Sequence, residues 1–254
     1  MRKTFRSLID SGKKFMGTFV QLPCKQVVEL MGYCGFDFII IDNEHATMSE
    51  DQTLELVQIC DMVGMAAMIR VPDVNEAAIK KALDMGASGL VVPNINNVED
   101  AKRVIRMAKF APQGFRGACP FVRANQYSAG PEAEFYLKSN QETVIMLLLE
   151  SVEALEQMED IISLDGVDIV GIGLVDISTK MGAYGQLDHP LLKDAVEKSI
   201  RLSKKYGKPC YTFAANYEQG KAWLDTDTDY LLYAADAVAL KDLFKQMRKD
   251  FMRL

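Results

Sequence analysis

Phe36-Asp37-Phe38-Ile39-Ile40-Ile41-Asp42-Asn43-Glu44-His45 opens on an isoleucine-rich apolar run and closes on acids and a histidine. The run is short, and its composition is that of a strand buried on both faces. The histidine that follows is one of only two in 254 residues, so its place matters. Parallel barrels present their chemistry where strands end in polar side chains. Taken alone, the stretch reads equally well as a strand followed by an acidic capping loop. The recurrence of the same event, strand then charged or polar residue, decides between them.

Outward from this stretch the rhythm repeats. A leading helix is expected over residues 4–13, a strand over 15–22, and a helix over 25–34 that stops before Gly35. After the focal strand, 36–41, Ser49-Glu50-Asp51-Gln52 has the form of a capping box and starts a helix that runs to Val63. Strands at 65–69 and 87–92 flank a helix at 75–85, and a helix at 98–110 follows. Residues 111–130 are rich in Pro, Gly and Arg and form a long loop, the kind that is functional in a compact domain. The alternation then resumes: helix 131–139, strand 143–149, helix 152–162 and strand 167–172, followed by Gly173-Leu174-Val175-Asp176. Helix 190–206, strand 209–213, helix 217–224, strand 229–234 and a closing helix at 237–251 complete it. Strands alternating with helices over this length predict one parallel (β/α)8 TIM barrel spanning 1–254. A doubly wound open sheet is the competing fold, but its Gly-rich phosphate turn is absent, as are a P-loop and GxSxG. The closing segment, 237–254, carries Val238, Leu240, Leu243, Phe244, Met247 and Phe251, more apolar surface than a one-faced helix needs. It is expected to pack across a subunit boundary.

Apolar residues at 49% and charged residues at 25% supply a sizeable core and a solvated surface. The net charge of −6 argues against nucleic acid and a polybasic membrane contact. No apolar run reaches the ~20 residues of a membrane span. Met1-Arg2-Lys3-Thr4-Phe5-Arg6 lacks the apolar core of a signal peptide. Cys24, Cys34, Cys60, Cys119 and Cys210 are odd in number and without CxxC spacing, which predicts buried, inert thiols and a reducing cytoplasm.

The barrel reading brings Glu44, His45, Arg70, Asn94, Glu150 and Asp176 to one face. Glu150 and Asp176 follow consecutive parallel strands. Adjacent carboxylates repel unless a proton or cation intervenes, and oxygen ligands select a hard cation: magnesium, or manganese or cobalt in its place. Each residue has a plainer reading: His45 as a loop cap, Arg70 as an ion-pair partner. Arg116 and Arg123 suit holding the long loop and meeting an anionic substrate equally. His189, before Pro190, reads as a surface residue at a helix start. Asp84 sits at a helix C-terminus, where an acid is unfavourable, which points to a partner such as the imidazole. No Lys ends a predicted strand, which argues against a Schiff base; Lys180 is expected on a loop.

Asp42-Asn43-Glu44-His45, Arg70-Val71-Pro72, Leu83-Asp84-Met85-Gly86-Ala87, Gly114-Phe115-Arg116-Gly117, Glu150 and Gly173-Leu174-Val175-Asp176-Ile177-Ser178 together resemble the HpcH/HpaI aldolases. The resemblance runs from about Gly17 to Gly207. It implies a metal-dependent class II aldolase with a (β/α)8 fold, often hexameric with an exchanged C-terminal helix, cleaving 4-hydroxy-2-oxoacids to pyruvate and an aldehyde. It further implies that Glu150 and Asp176 hold the metal and that the amides of Val175 and Asp176 receive the substrate carboxylate. Arg70 would stabilise the enolate, and His45 would move protons, made more basic by Asp84. Oxaloacetate decarboxylation or a malate-thioester lyase would use the same site, and a non-catalytic metabolite-binding barrel is the alternative of a different class. The chain departs from the family at Leu148, where a substrate-contacting Gln is usual, at Phe19 in place of Trp, and in lacking the proline of Gly-Pro-x-Asp-Leu. These departures imply a retuned pocket.

Overall fold

The computed structural model of the protein describes residues 3–225 and 228–253. Both ends of the expected 1–254 unit, and the start of its basic N-terminal run, lie outside them. Within the described residues the strands are β1 (Phe15–Val20), β2 (Phe38–Asp42), β3 (Ala66–Arg70), β4 (Gly89–Ile95), β5 (Val144–Leu149), β6 (Ile169–Ile172), β7 (Tyr211–Ala214) and β8 (Tyr230–Ala235). The helices in the first half are α1 (Phe5–Asp10), α2 (Lys25–Tyr33), α3 (Glu50–Val63), α4 (Glu76–Asp84) and α5 (Val98–Ala108). Those in the second are α6 (Glu132–Glu142), α7 (Val152–Glu156), α8 (Met158–Ile162), α9 (Leu174–Lys180), α10 (Pro190–Lys205), α11 (Tyr217–Leu224) and α12 (Asp236–Phe251). No described helix is long and apolar enough to cross a membrane.

All pairings are parallel, and the ladder runs β6-β5-β4-β3-β2-β1-β8-β7. The result is a nearly closed (β/α)8 barrel in which β6 and β7 adjoin without a ladder of their own. Strand parity sorts the core into two shells, because successive side chains point to opposite faces. Ile39, Ile41, Ala67, Ile69, Ile145, Leu147 and Leu149 point outward under the helices. Phe38, Ile40, Ala66, Met68, Val144, Met146 and Leu148 point inward. Phe5 of α1 closes the bottom, its ring edge-on to Phe15, Phe38 and Tyr230.

A clamp recurs at the N-terminal ends of the even strands. Asp37 accepts from the Met16 amide (3.1 Å), Asp168 from Ile145 (2.8 Å) and Asp229 from Cys210 (2.7 Å). Each aspartate amide donates in turn to the carbonyl of the same residue, at 3.0 Å in every case. Before β4 the position is Ser88, whose amide and hydroxyl both donate to the Ala67 carbonyl. The device joins each odd strand to its even successor at the floor.

Ser49 forms the expected capping box with Gln52. Three expectations are corrected. The helix expected over 152–162 is two short helices, α7 and α8, meeting at Gln157. Gly173 caps α9, so Lys180, expected on a loop, lies in the last turn of a helix. Of the thiols expected to be buried, Cys60 and Cys210 are, whereas Cys34 and Cys119 are exposed.

Candidate active site at the C-terminal ends of the strands

The inward parity that fills the barrel continues past the strand ends and delivers the charged groups. Asp42 and Glu44 follow Phe38 and Ile40; Arg70 follows Ala66 and Met68; Glu150 follows Val144, Met146 and Leu148. Asp42 is fully buried and organises the cluster. It accepts from Arg70 Nε (2.9 Å) and Nη2 (2.7 Å), from Gln21 Nε2 (3.1 Å), and from the amides of Glu44 (3.1 Å) and His45 (3.2 Å). Burial pushes this carboxyl up, but the Arg70 hydrogen bonds and charge, with Gln21 and the His45 amide, outweigh it and hold it below its ordinary value. The guanidinium is thereby fixed in a planar, bidentate grip, with the Phe19 ring 4.8 Å from its centre. Asp42 was not singled out as a functional residue from sequence. Its signal was available: an acid in phase with the inward face of the focal strand.

Arg70 Nη1 lies 3.1 Å from Glu44 Oε2, and His45 Nε2 lies 3.7 Å from the same oxygen. Neither contact is aligned as a hydrogen bond, and Glu44 Oε2 is buried without one. Burial is the main reason that the Glu44 carboxyl is raised; Asp42 and Asp176 add to the effect, and Arg70 and His45 oppose it. The His45 side chain is 58% exposed and stands at the mouth.

Glu150 is 3% exposed and accepts from the Asn94 amide at 2.9 Å. A Cβ on Gly173 would meet Glu150 Cγ at 2.5 Å, so the bare glycine backbone is what lets the carboxylate lie across β6. Burial raises the Glu150 carboxyl most; Asp176 and Glu44 raise it further, against the Asn94 amide and Lys180. Asp176 is in the first turn of α9, with Val175, 62% exposed, beside it. The first intrahelical bond there is made by the Ile177 amide to Gly173, which leaves the Val175 and Asp176 amides without one. Leu148 is 5% exposed and lies one inward position below Glu150, in the inner core.

The chain thus gathers Glu44, Glu150 and Asp176 with net negative charge unsatisfied. That suits a divalent cation on Glu150 and Asp176. No described group of three His, Cys, Asp or Glu side chains forms a metal cage, so such a cation would complete its shell with substrate and water oxygens, as magnesium commonly does.

One expected pairing is not made within the chain. Asp84 donates no charge to His45: its Oδ1 accepts from Arg116 Nη2 at 2.6 Å. The reason is local, because Arg116 is almost wholly buried and needs a counter-charge. Arg116 also reaches Ser139 and packs on the Phe110 ring, while Arg123 donates to the Met85 carbonyl and pairs with Asp61. Both arginines therefore hold the 111–130 loop. His189 caps α10, accepting from the Leu191 amide at 3.3 Å.

Residues 16–225 match the HpcH/HpaI aldolase/citrate lyase family. The chain is 28% identical to a 4-hydroxy-2-oxo-heptane-1,7-dioate aldolase of Escherichia coli over 95% of both chains. It is 29% identical to a hydroxypyruvate/pyruvate aldolase of Sagittula stellata over 94% of both. The crystal structure of an HpcH/HpaI aldolase from Desulfitobacterium hafniense superposes with a TM-score of 0.92 at 28% identity, over 99% of this chain and 98% of that one.

Proposed function

The chain belongs to the HpcH/HpaI aldolase/citrate lyase family and is a carbon–carbon lyase of the aldolase type, and from that premise we propose how its site works. It cleaves a 4-hydroxy-2-oxoacid reversibly to pyruvate and an aldehyde through an enolate. The observation that carries the reading is the convergence of the Asp42-held Arg70 guanidinium with Glu44, Glu150 and Asp176 at one end of the barrel. The family is generally dependent on a divalent metal. Here Glu150 and Asp176 would hold it, magnesium in the first instance, where it supplies Lewis acidity toward the developing enolate.

The remaining roles fall to the chain. Arg70, pre-oriented by Asp42, stabilises negative charge on the keto oxygen as the C3–C4 bond breaks; fixed donors of this kind need no reorganisation. The Val175 and Asp176 amides receive the substrate carboxylate at the start of α9. His45, exposed at the mouth, takes the proton of the 4-hydroxyl through Nε2 and assists protonation of C3, which becomes the pyruvate methyl. With Asp84 committed to Arg116 within the chain, a dyad with His45 would form only between copies of the chain. The exposed Leu243, Phe244, Met247 and Phe251 of α12 fit the same self-association, an oligomer such as a hexamer.

Proton NMR of pyruvate in deuterated buffer tests the reading. Metal-dependent loss of the methyl signal, abolished in Glu150→Ala, is expected. No exchange with magnesium, manganese or cobalt would overturn the enolate mechanism.

A further inference from the structure

Tyr211 opens β7 with its side chain inward, and its ring stacks on Tyr230 with centroids 5.6 Å and planes 23° apart. Its hydroxyl crosses the gap to β6. A Cβ on Gly171 would lie 2.6 Å from Tyr211 Oη and 2.7 Å from Leu148 Cδ2, so both side chains occupy space that only a glycine leaves open. Gly171 is the ladder partner of Leu148, whose next inward neighbour is Glu150. The phenol oxygen therefore stands beside Leu148, one level beneath the Glu150 carboxylate.

Burial pushes the Tyr211 phenol far above its ordinary value, with Glu150 raising it further and Arg70 opposing. The hydroxyl is therefore a donor at any physiological pH. No hydrogen bond joins it to a described residue, and Leu148 offers no acceptor. Tyr230 makes the instructive contrast: its hydroxyl is also unpartnered but is sealed inside the barrel. Tyr211 is only half-buried, where Tyr230 is 1% exposed. A donor left unpaired at such depth is costly unless something arrives to accept from it.

We propose that Tyr211 is a substrate-contacting residue, its hydroxyl donating from one level beneath Glu150 to an oxygen of the bound 2-oxoacid where Leu148 cannot. The proposal rests on the oxoacid-lyase reading of the same site. It assigns part of the specificity of this lyase to the β6–β7 gap, where the phenol of one strand reaches across to the backbone of the next.

The test compares parent, Tyr211→Phe, Leu148→Gln and the double variant, each loaded with magnesium. Pyruvate affinity is measured by calorimetry, and KM and kcat are measured by deuterium exchange. Tyr211→Phe removes one atom and keeps the stacked ring. It is expected to weaken pyruvate binding and raise KM by roughly tenfold, with Leu148→Gln in that background recovering much of the loss. Unchanged affinity and KM in Tyr211→Phe, with or without a change in melting temperature, would overturn the assignment. A parent that binds pyruvate through Tyr211 without exchanging it would uphold the contact and sink the enolate reading. A parent that neither binds nor exchanges would sink both.

Discussion

At the floor of the barrel Asp37, Asp168 and Asp229 each accept from a backbone amide of the preceding strand, and Asp37 and Asp168 also hold Lys3 and Arg6. At the mouth Asp42 is equally well satisfied, but Glu44 keeps a buried oxygen without a hydrogen bond and Glu150 is flanked by two further acids. Both ends use carboxylates next to strand termini. Each floor carboxylate is committed to a strand amide, in a motif that repeats; the mouth gathers carboxylates in excess of nearby cations, in an arrangement that does not. Incomplete satisfaction in a native structure calls for an explanation, which the proposed cation and substrate would supply.

The sharpest way to break this contrast is at Arg70. Arg70→Ala should lower kcat for pyruvate exchange by about 10²–10³-fold, the range for one lost donor to a developing oxyanion. A loss confined to stability would make the mouth another floor. On the other side, Asp168→Ala removes the acceptor of the Ile145 amide and the partner of Arg6. It should cost about 1.5–3 kcal/mol in denaturant unfolding while kcat of the folded enzyme stays the same. A selective fall in kcat would show that floor and mouth are coupled.

Proton linkage gives a finer measure. Glu150 and Glu44 have folded values raised above their unfolded ones, so the metal-free fold binds protons more tightly than the unfolded chain does. Their contribution is therefore favourable at acid pH and is lost as pH rises through the raised values. Asp42, held low, has the opposite sign: its contribution is present above the unfolded carboxylate value and lost below it. Glu150→Gln should thus raise the melting temperature of the metal-free protein at neutral pH, by about 2–4 °C for each kcal/mol relieved. It should also abolish stabilisation by magnesium. A lower melting temperature in Glu150→Gln would mean that the carboxylate is structural.

The sequence makes the barrel legible because alternation of strands and helices is a long-range pattern with many independent repeats. The convergence of Arg70 and Glu150 is legible because one ends a strand and the other directly follows one, on the inward parity; Asp176 follows four residues after β6, in the first turn of α9. Less can be read where a role depends on what lies opposite. Asp84 looked misplaced at its helix end, correctly, yet the cation it meets is Arg116 from a loop distant in sequence. Asp42 reads only as one of the acids that close the focal stretch, since nothing local shows that five donors converge on it. Tyr211 gave no signal, because its position is set by the absence of a side chain at Gly171 on another strand.

The order of the sheet also bears on how the chain finds its shape. Every ladder except β1–β8 joins strands that are neighbours in sequence. Their contacts close loops of one βαβ unit at a time, and loop entropy grows only slowly with length. Assembly can therefore accumulate one βαβ unit at a time. The long search is confined to one late meeting of the chain's two ends, where Asp236 at the start of α12 accepts from the Gln21 and Leu22 amides just beyond β1.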